Sequence, residues 1–303
     1  MEMNNITIEK PRDFGEILTD AAVLFFKNWK PFLWSMAYLT VPFFILAFIL
    51  YFATLKDFSQ IAIEDAIQMA VLQFLLVFVL FMAASVATQL IVVGLVELYR
   101  TTGNFAQDFR EVWSVLKPVL GKVLLITVIM WLLPAILAAA GFLLFTASPV
   151  LGGIVIFLLA IITIWYINSI MYATYIGIRY PYNALESIKK SFELVQNQWW
   201  AAFGFMFLVG IIINAVHSLL FLPFTLAEVI KNFSAIAEGT TAEPPKTVFT
   251  LLMMFQMMVY VVFNGYSTIC FNLKYYQLID NKYGAELENR INDIGKTLMD
   301  ESE

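Results

Sequence analysis

Six apolar runs decide what this chain can become. They fall at about 31–55, 67–99, 122–146, 149–180, 199–230 and 247–276. Each supplies the roughly 20 residues that an α-helix needs to cross a ~30 Å hydrocarbon layer. Their apolarity is continuous rather than alternating, which leaves helices as the spanning form. The second, fourth and sixth runs are longer than one crossing requires. At a helical rise of about 1.5 Å per residue they reach roughly 45–50 Å, so they tilt or project beyond the bilayer. Pro134 and Pro223 are expected to kink the third and fifth spans. Composition agrees with the runs. The 303 residues are 61% hydrophobic and 14% charged, against about 45–50% and about 25% in soluble domains. The expected fold is an all-α membrane protein, with 1–303 forming a single polytopic domain and 281–303 a polar tail on the cytoplasmic side.

Charge sets the direction of the spans. Of the 18 Lys and Arg, all but Lys56, Lys231 and Lys246 fall on one side of the six-span arrangement. Basic loops stay cytoplasmic, so both termini are placed there. The opposite loops read KDFSQIAIED, TASP and KNFSAIAEGTTAEPPK, and the last is expected to be mobile. The N-terminus mixes both charge signs and lacks a cleavage pattern, so the first span is expected to serve as an uncleaved insertion signal.

The cytoplasmic segments repeat one plan. Asp13 and Glu16, Asp108 and Glu111, and Asn183 and Glu186 each place an N-cap residue three positions before a glutamate. That spacing is the capping box, in which cap and glutamate satisfy each other's backbone N–H groups. An amphipathic stripe follows in each copy: Ile17, Leu18, Ala21, Leu24 and Phe25 in the first, Val112, Trp113 and Leu116 in the second, and Leu185, Ile188, Phe192 and Val195 in the third. The same interval separates Glu16 from Trp29 and Glu186 from Trp199. The even runs end in Tyr99-Arg100, Arg179-Tyr180 and Lys274-Tyr275, pairs that suit a membrane–water boundary. The sequence thus predicts three hairpins, each preceded by an interfacial helix, in a pseudo-threefold repeat with units at about 11–100, 104–180 and 181–280.

Chemistry-bearing residues are few. Cys270 is the one cysteine and His217 the one histidine, so neither a disulfide nor a Cys- or His-rich metal or haem site can be built within the chain. No His-Glu-x-x-His, Gly-x-Ser-x-Gly or phosphate-binding glycine loop occurs. The expectation is a protein without catalytic residues or cofactors, and without nucleic-acid partners. The Met253, Met254, Met257 and Met258 cluster reads as adaptable packing. The buried polar residues are amides. Gln89 and Asn168 each precede a basic exit residue by eleven positions, and Asn264 precedes Lys274 by ten, roughly 15–16 Å along a helix. They would either hydrogen-bond between helices or line a polar cavity. Asn214 and His217 on the fifth run could join them.

The early DFGEILTDAAVLFFKNWKPFL leading into six spans resembles a family of bacterial integral membrane proteins of uncharacterised function. That family is related in plan to the membrane domain attached to some glycerophosphodiester phosphodiesterases. The resemblance covers about residues 10–280. It implies a bacterial inner-membrane location and repeated interfacial helices, and supplies no catalytic residue. The functional expectation is a scaffold or assembly subunit whose interfacial helices form a cytoplasmic collar. Its partners would be membrane lipids and either a membrane protein or a second copy of the chain. The alternative is a transporter or lipid-handling protein with a polar cavity between the hairpins.

Overall fold

The computed structural model describes residues 6–55, 63–105, 108–237 and 246–300, with some side chains inside the helices outside the description. Two of the loops read above, 56–62 and 238–245, fall outside it. Every regular element among the described residues is an α-helix.

The first unit contains α1 (Phe14–Lys27), α2 (Trp29–Leu39), α3 (Val41–Leu55) and α4 (Ile63–Thr102). The first apolar run is not the single helix its length suggests. It bends by 45° between α2 and α3. Pro42 accounts for the break: it has no N–H to donate one turn back, and its ring crowds the carbonyl there. Thr40 at the bend is fully buried, with its Oγ1 at 3.1 Å from Thr88 Oγ1 on α4. The bend is thereby fixed to the neighbouring helix.

The second unit contains α5 (Phe109–Leu116), α6 (Leu120–Ala147), α7 (Pro149–Ile170) and α8 (Ala173–Arg179). Here α6 runs unbroken through Pro134. The α6–α7 turn is closed by Gly152, where an added Cβ would lie 2.2 Å from Phe145 Cα. Only a residue without a side chain permits that approach.

The third unit contains α9 (Ala184–Val195), α10 (Trp199–Ala237) and α11 (Lys246–Asp300), and α10 passes through Pro223 as one helix. The 55 residues of α11 correspond to about 80 Å of helix. The sixth run and the polar tail therefore belong to one continuous rod.

Among the described residues four stretches are long and apolar enough to cross a bilayer: Val79–Thr102, Leu120–Thr146, Pro149–Arg179 and Trp199–Ala227. Counting the bent α2–α3 pair as one span makes five. Their roles differ. Of the α4 stretch 56% is buried, against 11% for α6 and for the α7–α8 stretch. Thus α4 is the central post, while α6, α7 and α10 display Phe142, Leu143, Val150, Phe157 and Leu219 outward. Helices apolar on all sides suit a lipid surround.

The core lies at one end. Its largest fully buried side chains include Ile17, Ile91, Leu95, Leu116, Tyr172, Ile269, Leu273 and Tyr275. These come from α1, α4, α5, α11 and the break before α8, so the short helices and the span ends share one core. Burying each Ile or Leu fully is worth about 1.5–3 kcal/mol.

Candidate functional site

The three short helices expected to form the collar are α1, α5 and α9, and their starts differ. On α1 the capping box is complete: Glu16 N donates to Asp13 Oδ1 at 2.7 Å, and Asp13 N donates to Glu16 Oε2 at 3.1 Å. On α9 it is complete again, between Asn183 and Glu186 at 2.9 and 3.0 Å. On α5 it is not. Asp108 Oδ1 accepts a 3.5 Å contact from Arg110 N, Glu111 N donates to the Asp108 carbonyl at 3.2 Å instead, and among the described residues the Glu111 side chain makes no return bond to Asp108 N. The Asp108 carboxylate lies 4.0 Å from the Arg110 guanidinium, both side chains being exposed. The helix also stops after eight residues, because Pro118 cannot donate to the carbonyl one turn back.

Each of these helices packs one face on the span ends; on α9 that face is not the expected stripe, since Leu185 stays exposed while Ala184, Ser187 and Ser191 are buried beside Leu194 and Val195. Ile17, Ala21 and Leu24 of α1 are buried, as are Val112 and Leu116 of α5 and Leu194 and Val195 of α9. Gly94 on α4 brings α5 close, since a Cβ there would meet Leu116 at 3.1 Å and Val112 at 3.2 Å. Phe26, Trp29, Trp34 and Trp200 remain exposed.

A polar lock joins the collar to the spans. The Arg12 side chain is fully buried. Its Nε donates to Asp20 Oδ2 at 2.8 Å, its Nη1 to the carbonyls of Ile8 and Lys10 at 2.8 Å each, and its Nη2 to Thr7 O. This wraps residues 6–12, hereafter the strap, around one guanidinium. The strap and α1 are tied onward to the spans: Ile6 N donates to Tyr99 Oη at 3.1 Å and Gln277 donates to Arg12 O, while Tyr266 Oη donates to Leu18 O of α1 at 3.1 Å. Lys274 Nζ donates to Gln277 Oε1 at 2.7 Å and lies 5.3 Å from the Phe205 ring centre.

The basic exit residues therefore do not splay outward as a boundary belt. Lys274, Tyr275 and Tyr276 are buried and Arg100 and Arg179 largely so, because the strap and α1 cover them. The sequence reading passed over Glu9, Arg12, Thr40 and Thr88. One signal was available: a charged KPRD immediately before a capped helix in so apolar a chain.

The five polar candidates separate into three places. Gln89 is half-buried on α4. Asn168 is fully buried on α7 and donates to Trp199 O at 3.4 Å, its Oδ1 lacking a partner. Asn214 and Asn264 come together in a cavity of about 150 Å³ between α10 and α11, beside Ser267 and Tyr260. Within it Asn214 donates to Gly210 O, and Asn264 Oδ1 accepts from Ser267 at 3.2 Å. His217 adjoins this cavity through its 5.8 Å edge contact with Tyr260, and its buried Nε2 has no partner. Among the described residues no hydrogen bond connects Gln89, Asn168 and Asn264, so no three-amide ring is formed by direct bonding. The cavity has room for a few waters at about 30 Å³ each.

A larger apolar groove of about 830 Å³ opens between the first and second units. Phe43, Ala87, Leu90, Trp113, Leu124 and Trp131 are among the residues lining it. Among the described residues no group of three or more His, Cys, Asp and Glu is placed to hold a metal ion.

Residues 7–146, just under half of the chain, match the family model described as "Protein of unknown function (DUF4013)". The matched region contains the strap from Thr7 onward, α1 to α5, and α6 up to Thr146. No curated protein and no solved structure matches the chain, and nothing found supports the expected kinship with phosphodiesterase-linked membrane domains.

Proposed function

We propose that the chain is a non-catalytic scaffold or assembly subunit of a bacterial inner membrane, with six spans in three hairpins and both termini in the cytoplasm. In this reading α1, α5 and α9 form a cytoplasmic collar in the headgroup layer and present a docking face to a membrane protein or to a second copy. The observation that carries it is the position of the core. The tightest packing joins the collar to the span ends, which makes the collar a rigid platform rather than a loose appendage. The bias of Lys and Arg toward that end supports the orientation.

Mild-detergent purification of the tagged chain, with native mass spectrometry of proteins and lipids, tests the reading. A stoichiometric complex is expected, and it should dissociate when the exposed collar residues Leu185 and Lys189 are changed to Asp and Glu. Reproducible recovery of a single copy with only a bound lipid or solute would reject it. The alternative, lipid or solute handling, draws on the groove between the first two units. It predicts a lipid retained by the parent protein and lost on changing Leu124 to Trp.

A further inference from the structure

Arg100 ends α4 and Arg179 ends α8, and both reach the same atom. Glu9 Oε1 lies 3.1 Å from Arg100 Nη1 and 2.5 Å from Arg179 Nη2. Glu9 belongs to neither helix; the strap carries it across their ends. Arg100 also has a local partner in Glu97, one turn earlier, at 2.5 and 3.0 Å. For Arg179, Glu9 is the one ion-pair partner among the described residues. The Arg179 guanidinium is packed at 5.0 Å from the Tyr276 ring centre and 5.7 Å from that of Tyr180, so its position is set by aromatic walls as well as by Glu9. Glu9 is about half exposed, with 47% of its side chain accessible, whereas the two arginines are at 24% and 21%.

Two guanidinium groups from different units converging on one oxygen form an arrangement suited to carboxylate and phosphate oxygens. Without Glu9, the group comprising Glu97, Arg100 and Arg179 carries a net positive charge. We propose that Arg100 and Arg179 form an oxyanion site for a phosphate group, occupied here by the chain's own Glu9, which a ligand displaces. Two sources carry that chemistry: the phosphate of an anionic lipid headgroup and free phosphate. Binding would exchange the Glu9 contact for the ligand and so loosen the strap over the span ends, coupling occupancy to the state of the collar.

The test uses the full chain in an uncharged detergent, with Glu9→Ala and the milder Glu9→Gln. One arm titrates inorganic phosphate by calorimetry. The other measures retention of phosphatidylglycerol by native mass spectrometry, with diacylglycerol as the phosphate-free control. At least one phosphate probe should bind E9A roughly fivefold or more tighter than the parent, the low end of typical coupling between sites. E9Q should show a smaller gain in the same direction. Adding Arg179→Gln to E9A or E9Q should abolish the gain. A gain with inorganic phosphate identifies free phosphate as a competent source, and a gain confined to phosphatidylglycerol identifies the headgroup. The proposal is overturned if neither Glu9 variant gains affinity for either probe, or if the gain survives loss of Arg179.

Discussion

Arg12→Ala tests whether the strap is held by one guanidinium. In the parent, that side chain is wholly buried, pairs with Asp20 at 2.8 Å and donates to the carbonyls of Thr7, Ile8 and Lys10. Truncation removes every one of these bonds and strands the Asp20 carboxylate. Breaking a buried ion pair from one side costs about 3–5 kcal/mol. Asp20 keeps 26% of its side chain in water, and the freed carbonyls can hydrate once the strap lifts, so the lower end, about 3 kcal/mol, applies. At 1.4 kcal/mol per decade this is a rise of roughly a hundredfold in the local opening equilibrium. Hydrogen exchange read by mass spectrometry on the detergent-solubilised protein should therefore accelerate by about that factor in residues 6–20. The α6–α7 hairpin, which contacts neither the strap nor Asp20 in the hydrogen-bond network, should be unchanged. Arg12→Lys keeps a charge for Asp20 but lacks the fork that spans three carbonyls, and should recover about half of the lost protection. Parent-like exchange in R12A, or a uniform acceleration over the whole chain, would refute the reasoning.

The caps should differ in the order of their geometry. Asn183→Ala removes a complete box and should destabilise α9 by about 1 kcal/mol, read as faster exchange of its first turn, whereas Asp108→Ala removes only a 3.5 Å contact and should cost less. Gly152→Ala places a methyl group 2.2 Å from Phe145 Cα, while the same change at Gly153 meets nothing within 4 Å. Overpacking of this kind typically costs about 1–3 kcal/mol, so the first variant should melt lower than the parent and the second should not. On α9, the 2.7 Å hydrogen bond between Lys190 and Glu193 holds the carboxyl below its ordinary 4.5 and the ammonium above its ordinary 10.5. Glu193 bound in this way contributes stability above pH 4.5 that is lost as pH falls through its lowered value. The Lys190 contribution is present below 10.5 and lost as pH rises through its raised value. Thermal melts across pH should therefore show a small loss at the acid end that Glu193→Gln removes; an unchanged acid limb would contradict the assignment. Because the pair is solvated, the effect is expected to be modest.

Local signals made the collar legible in the sequence. The boxes at Asp13 and Asn183 need only residues three apart, and their amphipathic stripes need only helical spacing. The structure reproduces both boxes and the α1 stripe, whereas on α9 the buried face turns to Ala184, Ser187, Ser191, Leu194 and Val195 and leaves Leu185 exposed. Asp108 has the same spacing, but its carboxylate accepts from Arg110 N instead and Pro118 shortens the helix, so an equivalent pattern does not give an equivalent cap. The bend at Thr40 was foreshadowed by Pro42, yet a run of apolar residues hides a break that hydropathy does not register. The Glu9 and Arg12 contacts were not legible. They depend on which span ends converge, and a charge before a helix looks the same whether it is solvated or wrapped by a strap. The amides illustrate the same limit. Equal distance from the exit residues fixes depth along each helix but not the direction faced, and Asn168 meets Trp199 whereas Asn264 meets the α10 side.

The shortness of α5 has a consequence beyond its cap. Copies one and three of the collar are 14 and 12 residues long, and copy two has eight. Because α5 ends at Leu116, it reaches across α4 only far enough to seat Val112 and Leu116 against Gly94. Trp113 is left at the mouth of the apolar groove between the first and second units. The shortness of α5 and the uncovered groove beside it thus meet at Pro118. The strap lies at the opposite extreme of order, held by Arg12 and closing the span ends at Arg100 and Arg179. On α4 the groove lining runs from Val79 to Leu90, ten or more residues before Arg100 and so about 15–30 Å along the helix from it; the apolar opening and the arginine pair lie at different depths.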